Sequence, residues 1–192
     1  MEFMNDYNTE EWINGRRLMS PRPRLNHMNT LDELTSQFKN YFRNSKCKAR
    51  QEYALFLTKD NIDEILTNKN KLRKLLTSKK AEVVPDLMVY CDEKQEFYRG
   101  IIGIPQIIVE VLSPSNSDDD TVEKFELYEE YGVLEYWIVS PISKKVKIYR
   151  LDKNNEYKLF SEKDFTDISV SSIYSELKIN LSNVNLVEEP NW

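Results

Sequence analysis

Apolar positions recur along this chain with two different spacings, and the changes from one to the other outline its elements. Residues 83–90, 106–112 and 134–139 are apolar runs of strand length, and 145–151 is a fourth that follows a turn at 141–144. Ahead of them, Leu31, Leu34, Phe38, Tyr41 and Phe42 fall at helical spacing. They predict an amphipathic helix over 30–44, with Asn29 and Thr30 at its start and Asp32 and Glu33 in its first turn. Trp12, Ile13, Leu18 and Met19 flank Asn14-Gly15, a pair that favours a tight turn, so 10–20 reads as a hairpin. Residues 47–58 alternate as a strand does. Over 60–80, Ile62, Ile65, Leu66, Leu72, Leu75 and Leu76 keep a helical period with lysines between them. That stretch predicts one or two helices, an insertion beside the sheet. Residues 91–103 form a polar loop or ribbon. Asp118, Asp119 and Asp120 open a helix that runs to about Tyr131 and stops at Gly132. A strand at 157–160, a short helix near 171–175, an edge segment reaching about Leu181 and loose residues at both ends complete the reading. The sum is a mixed central sheet flanked by helices, an α/β (α+β) fold in a single domain over 1–192.

Two of these strands carry a carboxylate. Asp86 follows Pro85, and a proline in a strand marks its start or a bulge, so this acid belongs at a strand end. Glu110 interrupts the run Ile107, Ile108, Val109, Val111, Leu112. A lone charge in an apolar strand is costly to bury without a partner. If the two strands pair, both acids point the same way and share one divalent cation. Oxygen ligation by few residues suits Mg²⁺ or Mn²⁺, with the carbonyl of Val111 as a further ligand. The competing reading gives each acid a buried arginine or lysine as its partner. Lys124 lies four residues after Asp120, on one helix face. It is either a surface pair with that acid or a cation that reaches the cleft and orients water. Glu11, beside the turn at Gly15, is an exposed hairpin acid or at most a third acid near the metal. His27, the one histidine, is a minor candidate.

Composition narrows the function classes. With 4 Gly and 7 Pro in 192 residues, the chain is not linker-like, and its 40% hydrophobic content supports a core. No apolar run approaches the roughly 20 residues needed to span a bilayer, and the start shows no basic segment followed by an apolar one. A cytoplasmic protein that does not enter a membrane is expected. Cys47 and Cys91 form no CxxC pair and are expected as two packed thiols. Charge is uneven: residues 1–80 hold 16 basic and 10 acidic side chains, and 81–192 hold 11 and 22. A basic half beside an acidic half that holds a metal fits a phosphate-bearing substrate, with the lysines of 69–80 either on that substrate or on a solvated helix face. No glycine-rich phosphate loop, HExxH or GxSxG occurs.

The order Pro85-Asp86, Pro105, Glu110 to Ser115, Asp120, Lys124, Tyr128, Gly132-Val133 and Glu135-Tyr136-Trp137 resembles the Uma2 family of restriction-endonuclease-like proteins. Glu11 to Gly15 and Met19 to Pro21 with His27 resemble that family's opening segment. The family is placed in the PD-(D/E)XK nuclease superfamily, and the resemblance leaves out 60–80 and the C-terminal end. It implies a four-stranded mixed sheet with Asp86 and Glu110 as metal ligands. The superfamily lysine, two residues after the acid, is Leu112 here. The resemblance therefore points to Lys124 on the following helix as its replacement. The expected activity is Mg²⁺-dependent hydrolysis of DNA phosphodiester bonds, and the arrangement leaves a homodimer open. The rival expectation is a catalytically silent DNA-binding or protein-interaction module on the same fold.

Overall fold

The computed structural model describes residues 9–20, 23–113 and 118–188. Its strands are β1 (Thr9–Ile13), β2 (Arg16–Ser20), β3 (Lys48–Gln51), β4 (Leu55–Phe56), β5 (Ala81–Val83), β6 (Leu87–Tyr90), β7 (Glu96–Phe97) and β8 (Gly100–Ile102). They continue with β9 (Ile107–Val111), β10 (Glu135–Ser140), β11 (Lys145–Leu151), β12 (Tyr157–Asp164), β13 (Ile168–Val170) and β14 (Lys178–Asn180). The helices are α1 (Leu25–Phe42), α2 (Ile62–Thr67), α3 (Lys69–Thr77) and α4 (Asp118–Tyr131). A central sheet of order β12-β11-β10-β9-β6-β3 packs against a second sheet of order β2-β1-β5-β4-β8-β7, and β13 pairs with β14 alone. The fold class is the mixed α and β arrangement expected, with two large sheets where the sequence reading has one.

The centre of the molecule is the parallel pair β9 and β10, joined by α4. Parallel strands need such a crossover, and both faces of the pair are then covered. Val109, Val111, Trp137 and Val139 face α1, where Leu31, Leu34 and Phe38 meet them. Phe38 and Trp137 pack edge to face with ring centroids 5.5 Å apart, and burial of each such ring contributes roughly 1.5–3 kcal/mol. Met88, Ile108 and Tyr136 face the other way, towards Leu127 and Tyr128 of α4 and Ile13, Leu55 and Val83 of the second sheet. Gly132 (φ +88°) ends α4, its N–H returning to the carbonyls of Tyr128 and Glu129, as a left-handed glycine cap does.

Several sequence expectations are corrected here. The run 83–90 is two strands, β5 and β6, in different sheets, and Pro85 and Asp86 form the step between them. The run 47–58 divides in the same way into β3 and β4, across Glu52 at φ 49°. A Cβ at Gly100 would lie 2.2 Å from the Ala54 carbonyl oxygen, so only glycine lets β8 run beside β4. Helix α1 starts at Leu25, not near Thr30: the side chains of Asn26 and Asn29 bond the backbone at Val187 and Asn185 instead of capping a helix start. The same contacts hold residues 185 and 187 of the tail expected to be loose, and 189–192 lie outside the described residues. No helix forms at 171–175, because Ser172 gives both its N–H and its hydroxyl to Glu135. Cys47 and Cys91 are not free thiols but a disulfide, since the β3–β6 register sets them opposite each other. The insertion at 60–80 is two helices. The proposed Asp118–Asp120 caps and the start of the chain at 1–8 lie outside what is described.

Candidate active site

The β6–β9 pairing is antiparallel, with Leu87 opposite Val109 and Met88 opposite Ile108. Continued by one residue, that register brings Asp86 level with Glu110. The two acids expected to cooperate thus stand at one end of two adjacent strands. Asp86 is fixed on both sides. One carboxylate oxygen, Oδ2, accepts the Val111 N–H at 2.6 Å, and Oδ1 lies 3.3 Å from Nε2 of His27. The backbone carbonyl of Asp86 accepts the Glu52 N–H at 3.1 Å, so the two sheet switches are tied together at this point.

Two further charges enter from the second sheet and from α4. Glu11, expected as an exposed hairpin acid or at most a third acid near the metal, is 1% exposed, and its Oε1 accepts the Val84 N–H at 2.7 Å. Lys124 is 6% exposed, so it is buried and not on the surface. Its Nζ lies 3.0 Å from Glu11 and 3.3 Å from Glu110. The lysine stem crosses the helix–sheet interface and places its ammonium between the carboxylates, which the interior would not otherwise hold at close quarters. Burial pushes the Glu110 carboxyl up, to about 8, with Asp86 and Glu11 adding to the rise and Lys124 and the Tyr128 hydroxyl opposing it. A raised carboxyl of this kind is what a divalent cation would reverse.

His27 was the weakest expectation and proves to be inside the cluster, 8% exposed. Burial lowers its pKa, but the Asp86 carboxylate, the Val111 backbone and Glu52 outweigh that, and the net direction is upward. Its Nδ1 has no hydrogen-bond partner and is buried. The signal for its placement is present in the sequence: His27, Leu31, Leu34 and Phe38 continue one helical stripe. Tyr128, one turn after Lys124, is fully buried and donates to Oε1 of Glu110 at 2.7 Å. Its spacing from Lys124 was the available clue. The lysines of 69–80 lie away from the acids; Lys71 pairs with Glu64, and Lys79 stands over the Trp12 ring at 4.3 Å.

The donor set suits a hard cation. Asp86, Glu110 and the Val111 carbonyl offer oxygen only, and Oε2 of Glu110 has no hydrogen-bond partner among the described residues. Among those residues no group of three or more His, Cys, Asp and Glu side chains is placed to hold a metal. An ion held here would therefore keep much of its shell as water or phosphate, which is the habit of Mg²⁺. No helix among the described residues is long and apolar enough to cross a membrane.

Comparison with known proteins bears on the family and the fold. Residues 1–182 match the model of a family described as Uma2, "Putative restriction endonuclease". A crystal structure of a putative nuclease belonging to DUF820 from Anabaena variabilis superposes with a TM-score of 0.67 at 19% identity, over 92% of this chain and 89% of the other. At that identity the likeness establishes the fold. An uncharacterized protein of Synechocystis sp., slr1290, is 30% identical over 90 residues, 46% of this chain. The chain spans about half the length of that relative, 47%.

Proposed function

The chain belongs to the Uma2 family, and from that membership we propose that it is a metal-dependent endonuclease that hydrolyses DNA phosphodiester bonds. The observation that carries the proposal is the lysine between acids: Lys124 Nζ reaches Glu110 and Glu11 beside the strand end where Asp86 stands opposite Glu110. Asp86, Glu110 and the Val111 carbonyl would hold Mg²⁺ or Mn²⁺. What the ion supplies when bound is charge at the phosphate and a more acidic water. The chain's own groups do the rest. Lys124 brings an ammonium to the strand end, where it orients water and offsets charge developing on the phosphate. Glu11 holds that ammonium in place from the second sheet. His27 fixes Asp86 against the strand end. This is the lysine role expected two residues after the acid, moved to a helix because that strand position is Leu112.

The test is cleavage of DNA with Mg²⁺ and with Mn²⁺. Lys124→Met and Asp86→Ala should each lower the rate by on the order of 10²–10³, the cost of removing one preorganised electrostatic group. Lys124→Arg should restore little, because the guanidinium differs in shape and cannot occupy the ammonium's place between Glu11 and Glu110. Undiminished cleavage by Lys124→Met would refute the lysine's role. A native protein that binds DNA without cutting it in either metal would turn the reading to the silent module.

A further inference from the structure

Glu110 is held unevenly. Its Oε1 takes two contacts from one face of α4, the Tyr128 hydroxyl at 2.7 Å and the Lys124 ammonium at 3.3 Å. Its Oε2 takes none from any described residue. The residues making the two contacts are four apart, so one helical face presents both donors together. A carboxylate on a two-torsion stem has no preferred oxygen of its own. Rotation about its last bond exchanges the two, and the terminal torsion is broad. The two oxygens are chemically equivalent, so something outside the side chain must fix the plane of the carboxylate and thereby leave one oxygen open.

Lys124 alone does not decide it, because its ammonium is shared with Glu11 at 3.0 Å and its three donors rotate freely. Tyr128 does. Its ring is fully buried and packs edge to face on Tyr136 with centroids 5.2 Å apart, so its hydroxyl points in one direction only. We infer that Tyr128 is a positioning residue of the metal site: it pins Oε1 of Glu110 and so presents Oε2 as the ligand oxygen. The inference rests on the metal-site reading above and adds a role for a residue that carries part of the family resemblance and to which neither the acid–lysine motif nor the charge pattern gives a function. Groups that orient a ligand from outside in this way usually affect metal affinity by 10–100-fold.

Tyr128→Phe removes one oxygen atom from a packed ring and leaves the ring. The matched control is Tyr157→Phe. Tyr157 is also buried, and its hydroxyl donates to the Val133 carbonyl at 2.9 Å, a contact not shared with the acids. Mn²⁺ binding is measured by titration calorimetry on the native full chain and both variants, with melting temperature as the check on folding. The expected result is about a tenfold weaker Mn²⁺ affinity in Tyr128→Phe and an unchanged one in Tyr157→Phe, with both variants melting within a few degrees of each other. Equal affinity in all three proteins, while the native protein binds, overturns the positioning role and leaves the metal site standing. Equal weakening in both variants overturns it too, as a general effect of losing a buried hydroxyl. A native protein that takes up no Mn²⁺ overturns the metal site itself and this inference with it.

Discussion

Two buried glutamates stand on neighbouring strands and have opposite fates. Glu135, at the start of β10, is 0% exposed and has every available contact: the Trp137 indole N–H at 2.6 Å on one oxygen, and the Ser172 N–H and hydroxyl, both at 2.5 Å, on the other. Glu110, near the end of β9, is 5% exposed and is satisfied on one oxygen only. Neutral donors on both oxygens of a carboxylate make it a fastener, which here replaces a helix at 171–175 with a turn. A carboxylate left partly unsatisfied, beside two others and a lysine, has capacity for a ligand. Burial and charge alone do not separate the two cases; the count of filled lone pairs does.

The comparison can be broken most sharply on the fastener. Glu135→Ala strands an indole N–H, an amide N–H and a hydroxyl, and should lower stability by about 3 kcal/mol in a denaturant titration. Glu110→Gln, which keeps an acceptor for Tyr128 and replaces a carboxyl that the fold already holds protonated below about pH 8, should change it by less than ~1 kcal/mol at pH 5. Equal losses would mean that the two acids do the same job. Next in size is the response to metal. At a free Mn²⁺ concentration 100 times the Kd, native stability should rise by about 2.7 kcal/mol, read as a higher melting temperature. Asp86→Ala should lose that gain, and a Glu135→Gln variant that still folds should keep it. The third test is of pH. The Glu110 carboxyl is raised from 4.5 in the unfolded chain to about 8 in the fold. Between those values the native state keeps a proton that the unfolded state releases. The stability Glu110 contributes is therefore full below pH 4.5 and declines as pH rises towards 8. One group gives a slope of at most ~1.4 kcal/mol per pH unit. Metal-free Glu110→Gln should lack that component, and a profile identical to the native one would show that Glu110 does not titrate in this window.

Much of the site is legible in the sequence because its members interrupt patterns. Asp86 and Glu110 stand out against apolar runs, and Lys124 is the nearest cation that a helix following β9 can return to the strand end. Glu11 and His27 are misjudged for one reason: each sits where the local pattern is short. A two-residue turn gives no sign that the second sheet will bury Glu11, and the helix of His27 starts before the polar residues that resemble its cap. Glu135 is invisible as a fastener, since two of its three donors come from Ser172, far along the chain. The division of 83–90 into two strands is hidden in the same way, because an uninterrupted apolar run looks alike whether it serves one sheet or two. The family match reports the fold without marking these positions.

The step from β5 to β6 spans only Val84, Pro85 and Asp86, and it joins the two sheets. A hinge so short transmits displacement with little slack. If the second sheet shears against the first, Glu11 moves with it, while Asp86 stays level with Glu110 because the Val111 N–H of β9 holds its carboxylate. The separation of Glu11 from Glu110 is therefore a strain gauge for sheet docking. Pressure on the outer surface, from a bound duplex or from another protein, would be felt at the strand ends before any side chain there is touched.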